Sequence, residues 1–511
     1  MVQPEPENSR DLVPGASPSV PIDTAAMDKH LIGGVVWTAA AKWSSQIFTW
    51  LSLLIVARLL HPSDFGIVGA AGVYLSFVAV FSECGFGAAV VTLRDLTSDE
   101  IAQINTVSVI TGGIGFVISC TLAIPMGWFF RSPELPGVIL VMSTNFLIAG
   151  FKIVPISLLR RDFAFKRLSV IDTVVAITQS TCVLLLAWTG AAFWALALGS
   201  VAAALVSTGL YLAARPCGFA RPRLSSIAHA LSFSWQVLVS RLSFNLYSDA
   251  DFLVAGRVLG AATLGAYTFA WDLATLPVEK VTGLIAQVTP SFFSANQTDH
   301  AGLRRYLQRL TEGISLITFP ATIGLGLVAA EFVELVLGPR WSGVVAPLQV
   351  LAFYGSIRSV SALTGQMLTA LQETRFVMWN SVMAVAIMPI AFYVGSRWGP
   401  AGIAWGWIVA YPVVVVPLYA RTFRKIGMPV REYFASLRPA LDGSLAMIVV
   451  VSVMKWALPP GWPLYMRFAL EVTGGAAAYL TVLSVLHADR LRSFLSLYRR
   501  SRAGSSQTET S

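Results

Sequence analysis

Residues 101–127 read IAQINTVSVITGGIGFVISCTLAIPMG, a run of 27 positions without one Asp, Glu, Lys or Arg. A helix rises about 1.5 Å per residue and the hydrocarbon core of a bilayer is about 30 Å thick, so about 20 apolar residues cross it. The apolar positions do not alternate with period two, as the short strands of a membrane barrel would. The stretch reads as a transmembrane helix, and runs of the same kind recur along the chain between short polar breaks, near 65–92, 137–159, 192–213 and 376–395 among others. Of 511 residues, 55% are hydrophobic and 12% charged, whereas an ordinary soluble domain carries about 25% charged residues. That balance excludes a soluble enzyme and a disordered chain. The four cysteines are scattered, mostly in apolar runs, and exclude a disulfide scaffold.

Fourteen spans are expected in all, giving an all-α polytopic membrane protein. The net charge of +9 is a topology signal. With the N-terminus inside, 24 of the 36 Lys and Arg residues fall in cytoplasmic segments and 7 on the other side, a split that alternates loop by loop. This positive-inside bias places both termini in the cytoplasm, and it gives no reason to invoke nucleic acid. The remaining five bases, Lys42, Lys152, Arg241, Lys280 and Arg358, lie inside spans.

The first and seventh spans are related. VARLLHPSDFGIVGA holds Arg58 before Phe65-Gly66, and VAGRVLGAATLGAYT holds Arg257 before Leu264-Gly265, an offset of 199. At the same offset Lys42 falls on Arg241 and Gln46 on Asn245, while Gly190 matches Gly399 at offset 209. Six spans separate the repeat starts, so both halves enter the membrane from the same side and form parallel repeats. The expected organisation is a disordered tail (1–28), an N-lobe of six spans (29–222), a C-lobe of six (223–425), two further spans (426–490) and a basic cytoplasmic tail (491–511). Transporters built from such repeats place the substrate between the halves.

The R-x-L-x-P-x-D-F-G stretch (Arg58, Leu60, Pro62, Asp64, Phe65, Gly66) resembles the signature of bacterial polysaccharide transporters, flippases of the multidrug/oligosaccharidyl-lipid/polysaccharide superfamily. PISLLRRDFAFKRL and LVLGPRWSGVVAPLQVLAF fit the same pattern, and the resemblance covers roughly residues 30–490. It implies two six-helix lobes around a V-shaped cavity that opens alternately to either side. It also implies an undecaprenyl-diphosphate-linked oligosaccharide as substrate, moved from the cytoplasmic to the periplasmic leaflet of the bacterial inner membrane. A polysaccharide polymerase and export machinery would be the partners downstream.

A charge inside a span costs at least about 2.5 kcal/mol near the bilayer centre and therefore faces a partner or water. A diphosphate needs cations along its path, and Arg forks onto its oxygens while Lys offers a point charge. Lys42 and Gln46 step by four, as do Arg241, Asn245 and Asp249, which puts each set on one helix face. The two related stripes read as cavity lining, although Lys42 and Arg241 could instead snorkel to the cytoplasmic interface. Lys152 and Arg358 are further candidates, with interhelical pairing as the alternative. In the eighth span Asp272, Glu279 and Lys280 form roughly one stripe; Glu279 and Lys280 read as neutralised by neighbours, and the alternative is that Asp272 or Glu279 accepts a coupling proton. Arg58 and Arg257 read as interface anchors and turn residues on the outer side, with gating as the alternative, and Trp128, Trp341 and Trp398 as an interfacial aromatic belt. No Walker A loop and no Cys/His cluster point to ATP hydrolysis, a cofactor or a metal. The rivals are a cation-coupled multidrug exporter of the same superfamily and a membrane enzyme such as a polysaccharide polymerase. No outer loop exceeds roughly 15 residues, which leaves the enzyme little room for a catalytic segment.

Overall fold

A computed structural model describes residues 46–83, 85–93, 96–162, 164–223, 242, 244–286, 293, 299–459 and 461–488. Every regular element among them is a helix. In chain order these are α1 (Gln46–Leu59), α2 (Pro62–Glu83), α3 (Phe86–Thr92), α4 (Ser98–Phe130), α5 (Leu135–Gly150), α6 (Ile153–Arg161), α7 (Phe165–Trp188) and α8 (Phe193–Ala214). The second half continues with α9 (Ala250–Val254), α10 (Ala261–Ala286), α11 (His300–Leu327), α12 (Ala329–Phe332), α13 (Val345–Ala370), α14 (Thr374–Gly395), α15 (Gly399–Ile426), α16 (Val430–Ala457) and α17 (Leu464–Leu486). Among the described residues nine stretches are long and apolar enough to cross a membrane, and ten if the bent pair α5–α6 counts as one span. One of the nine, Thr374–Ile426, contains both α14 and α15. The protein is an all-helical, multi-pass membrane protein.

The helix carrying the quoted run, α4, begins with a capping box. The Glu100 N–H donates to Thr97 Oγ1 at 3.3 Å and the Thr97 N–H to Glu100 Oε2 at 2.8 Å, so two orphan donors are satisfied before the chain enters lipid. Two expected spans are broken. The run at 65–92 turns at Gly85, whose φ of 69° lies in the left-handed region that suits glycine. The run at 137–159 bends by 47° between α5 and α6, where Pro155 lacks the N–H that would carry the helix through and sits in the first turn of its successor.

Lipid is as apolar as leucine, so burial alone does not drive helices together in a bilayer; close packing of small residues and interhelical hydrogen bonds do. The sharpest case is the crossing of α2 with α10. A Cβ on Gly66 would collide with the carbonyl of Ala261, and one on Gly265 with the carbonyl of Pro62. Pro62 and Ala261, like Gly66 and Gly265, are 199 apart, so the contact is reciprocal and relates the repeats by a local two-fold axis. Gly69 faces Thr268, its own mate at that offset. Around this axis Ile67, Ala70, Tyr74, Leu264, Tyr267 and Phe269 form a shared core.

The last two helices are tied to the rest by charge. Lys455 Nζ on α16 lies 2.6 Å from Glu331 of α12 and 3.6 Å from the fully buried Glu471 of α17. In the turn between α13 and α14, outside the spanning helices, Glu373 accepts from Lys425 and Arg421 at the end of α15, which hold its carboxyl below the usual range. Trp128 and Trp398 are 76% and 71% exposed, as belt residues are. Trp341 is not: it is 1% exposed and its Nε1–H donates to the Ala57 carbonyl at 2.7 Å. A tryptophan at a span end with a backbone acceptor within reach packs inward as readily as outward.

Candidate functional site

A cavity of about 710 Å³ opens among α9, α10, α13, α14 and α15, all from the second repeat. Its polar groups include Asp249, Arg358 and Gln366, and its wall is aromatic, with Trp271, Tyr354, Trp407 and Tyr411. Arg358 is held by a ring rather than by an acid. Its Cζ sits 5.4 Å from the Trp271 centroid, Nη1 is buried without a hydrogen-bond partner, and no carboxylate among the described residues pairs with it. Gln366, two turns on, likewise leaves Oε1 buried and unpartnered. A guanidinium stacked on an indole keeps its hydrogen-bonding edge free and its charge unneutralised, which suits capture of an anion.

The candidate residues meet different fates. Lys42 and Arg241 lie outside the described residues, so the two matched basic positions are not placed. Gln46 opens α1 and accepts a 2.7 Å hydrogen bond from Lys280 Nζ, which joins the first repeat to the eighth span. Asp249 lines the cavity and accepts from Ser76 Oγ of α2 at 2.9 Å, a second bridge between repeats. Asn245, one turn before it, is half-buried and not in the cavity wall. Asp272, Glu279 and Lys280 are all exposed along α10, and neither acid is in an ion pair among the described residues. Lys152 sits at the α5–α6 bend, donates to Ser207 Oγ of α8 at 3.1 Å with Glu83 and Asp172 nearby, and takes no part in the cavity. Its setting is interhelical pairing.

At the end of the bundle that carries Arg58 the repeats are locked together. Arg58 Nε donates to the Val336 carbonyl at 2.5 Å and Nη2 to the Leu335 carbonyl, while Trp341 packs edge-on against Phe65 at 5.2 Å. Arg257, the mate of Arg58, reaches the other way and lies 5.5 Å above the Phe129 ring at the end of α4.

The comparison that decides the assignment is with families of known sequence: residues 55–346 match the family described as polysaccharide biosynthesis protein. The chain belongs to the polysaccharide biosynthesis protein family. Among curated relatives it is 25% identical over 439 residues to the lipopolysaccharide biosynthesis protein WzxC of Escherichia coli K12, covering 83% of this chain and 87% of that one. The teichuronic acid biosynthesis protein TuaB of Bacillus subtilis is 24% identical over 480 residues, covering 90% and 96%. Among solved structures, the lipid II flippase MurJ in an inward closed conformation superposes with a TM-score of 0.73 at 13% identity, over 89% of this chain and all of that one. An inward-facing multidrug transporter of the MATE family gives 0.61 at 16% identity, over 76% of this chain. Both show that this family member shares their fold. The aromatic wall behind Arg358 is the part of the site that sequence reasoning missed, because Trp271, Tyr354 and Trp407 sit in apolar runs where nothing distinguishes a cavity face from a lipid face.

Proposed function

We propose that the chain is a lipid-linked oligosaccharide flippase. It moves undecaprenyl-diphosphate-linked repeat units from the cytoplasmic to the periplasmic leaflet of the bacterial inner membrane by alternating access of an N-lobe (29–222) and a C-lobe (223–425), with both termini cytoplasmic. The observation that carries this reading is the unpaired Arg358 guanidinium in an aromatic-walled cavity of a polysaccharide biosynthesis family member. The relatives' names, lipopolysaccharide and teichuronic acid biosynthesis, support a saccharide cargo. Arg358 would take the diphosphate, and Lys280, with Lys42 and Arg241, would line the path. A polymerase and export machinery would consume the flipped unit.

Arg358→Gln should lower transport at least about tenfold, the scale of one lost charge-assisted contact, with membrane levels unchanged. Arg358→Lys should recover part of it. The assay is accumulation of lipid-linked repeat units on the cytoplasmic leaflet in a deletion strain carrying each variant. Normal transport by the Gln variant would sink the assignment of this cavity. We place energetic coupling on Asp272 and Glu279. Transport into vesicles by Asp272→Asn or Glu279→Gln should lose its dependence on a pH gradient, and an unchanged dependence removes both residues from that role.

A further inference from the structure

Behind the cavity wall lies a carboxylate that the transport reading does not use. Asp251 on α9 is fully buried. Its Oδ2 accepts from the Tyr267 hydroxyl at 2.7 Å and from Trp407 Nε1–H at 2.9 Å, and its Oδ1 accepts from the Phe252 N–H at 2.9 Å. No Lys or Arg pairs with it among the described residues. A lone carboxylate in a spanning helix is costly, and three donors converging on it make it an obligatory acceptor. An indole N–H can donate in one direction only, so this bond fixes where the Nε1 edge of Trp407 points, and the stack on Tyr354 fixes the plane of its ring. From there contact passes outward. Trp407 stacks on Tyr354 at 4.9 Å and packs against Trp271 at 5.3 Å, and Trp271 offers its face to Arg358. Trp407 and Tyr354 are each 2% exposed, whereas Trp271 is half-buried at the cavity surface.

The repeat separates this network from the needs of the fold. At offset 199 Asp251, Tyr267 and Trp271 correspond to Ser52, Val68 and Gly72, and at offset 209 Trp407 corresponds to Leu198. The first repeat therefore builds its helices and its half of the α2–α10 crossing without any of the four.

We propose that Asp251 is a positioning residue: through Trp407 and Trp271 it sets the orientation in which Arg358 meets the anionic head of the substrate. The inference rests on the flippase reading, and the experiment keeps the two apart. Binding of undecaprenyl diphosphate, and of undecaprenol as the phosphate-free probe, is measured on the purified full chain in nanodiscs. Asp251→Asn and Trp407→Phe should each weaken undecaprenyl diphosphate binding about tenfold, leave undecaprenol binding unchanged, and leave the melting temperature within a few degrees. The double variant should bind no more weakly than either single one, because both act through one bond. Adding Arg358→Gln to Asp251→Asn should likewise bring no further loss. Equal weakening of both probes, additive losses, or no loss overturns the proposal. Should Asp251→Asn fail to assemble, Trp407→Phe, which keeps an aromatic ring and lacks the N–H, decides by the same criteria. If Arg358→Gln binds undecaprenyl diphosphate normally, the cavity reading itself fails. If Arg358→Gln weakens binding and neither Asp251→Asn nor Trp407→Phe does, only the positioning role is lost.

Discussion

Valine in place of Gly66 or of Gly265 is expected to leave almost no correctly assembled protein in the membrane. At each position the added Cβ would enter a backbone carbonyl of the partner helix, that of Ala261 or of Pro62. A backbone carbonyl cannot swing aside as a flexible side chain can, so α2 and α10 must separate. Their contact is the meeting point of the two repeats and the centre of the largest apolar core. Overpacking in an ordinary core costs about 1–3 kcal/mol. Here the cost exceeds that range, because the obstacle is backbone and the small-residue contact is what holds helices together in lipid. Gly72 is the control on the same helix: a Cβ there meets nothing within 4 Å. Gly72→Val should give wild-type yields of monodisperse protein in fluorescence-detected size exclusion, and Gly66→Val and Gly265→Val should give aggregate or none. Equal yields from all three would mean that the repeats do not depend on this crossing.

That contact also shows how far the sequence can be read. The match of Arg58, Phe65 and Gly66 with Arg257, Leu264 and Gly265 was visible as spacing, and the reciprocal packing is its physical counterpart. The all-helical class was visible because a run such as 101–127 has only one stable form in a bilayer. The breaks at Gly85 and between α5 and α6 were not, since hydropathy continues through them and only backbone geometry changes. A cation inside a span is costly, but cost does not reveal direction. Arg358 stacks on Trp271 at the cavity wall, Lys280 reaches across to Gln46, and Lys152 bonds to Ser207 within its own repeat. These outcomes depend on which helices become neighbours, a property that one span's sequence does not contain.

The second large effect concerns the lock at the Arg58 end. Leu335 and Val336 lie in the π-helical turn Val333–Leu337, where the helix ends and its last carbonyls have no partner within it. A cation there satisfies orphan acceptors at the negative end of a helix, and Trp341 returns the bond by donating to the Ala57 carbonyl. All three bonds span more than 270 residues and join the two repeats, so in the proposed two-lobe transporter opening at this end requires breaking them together. Hydrogen bonds to charged groups contribute about 1.5–3 kcal/mol each when shielded; Arg58 is exposed and solvent discounts each of its two bonds, so removing it should shift the closed-to-open balance about tenfold. Ala266, 6% exposed and packed beside Gly343 just beyond Trp341, reports on that balance. In a chain with the four native cysteines replaced, Ala266→Cys should react slowly with a membrane-impermeant maleimide applied from the side that carries Arg58, the periplasmic one in the proposed orientation. Adding Arg58→Ala should speed that reaction about tenfold, and adding Trp341→Phe should speed it further, while transport falls because the chain rests in the open state. Labelling rates that stay at the Arg58 level in both variants would show that Arg58 and Trp341 anchor the helix ends without governing access.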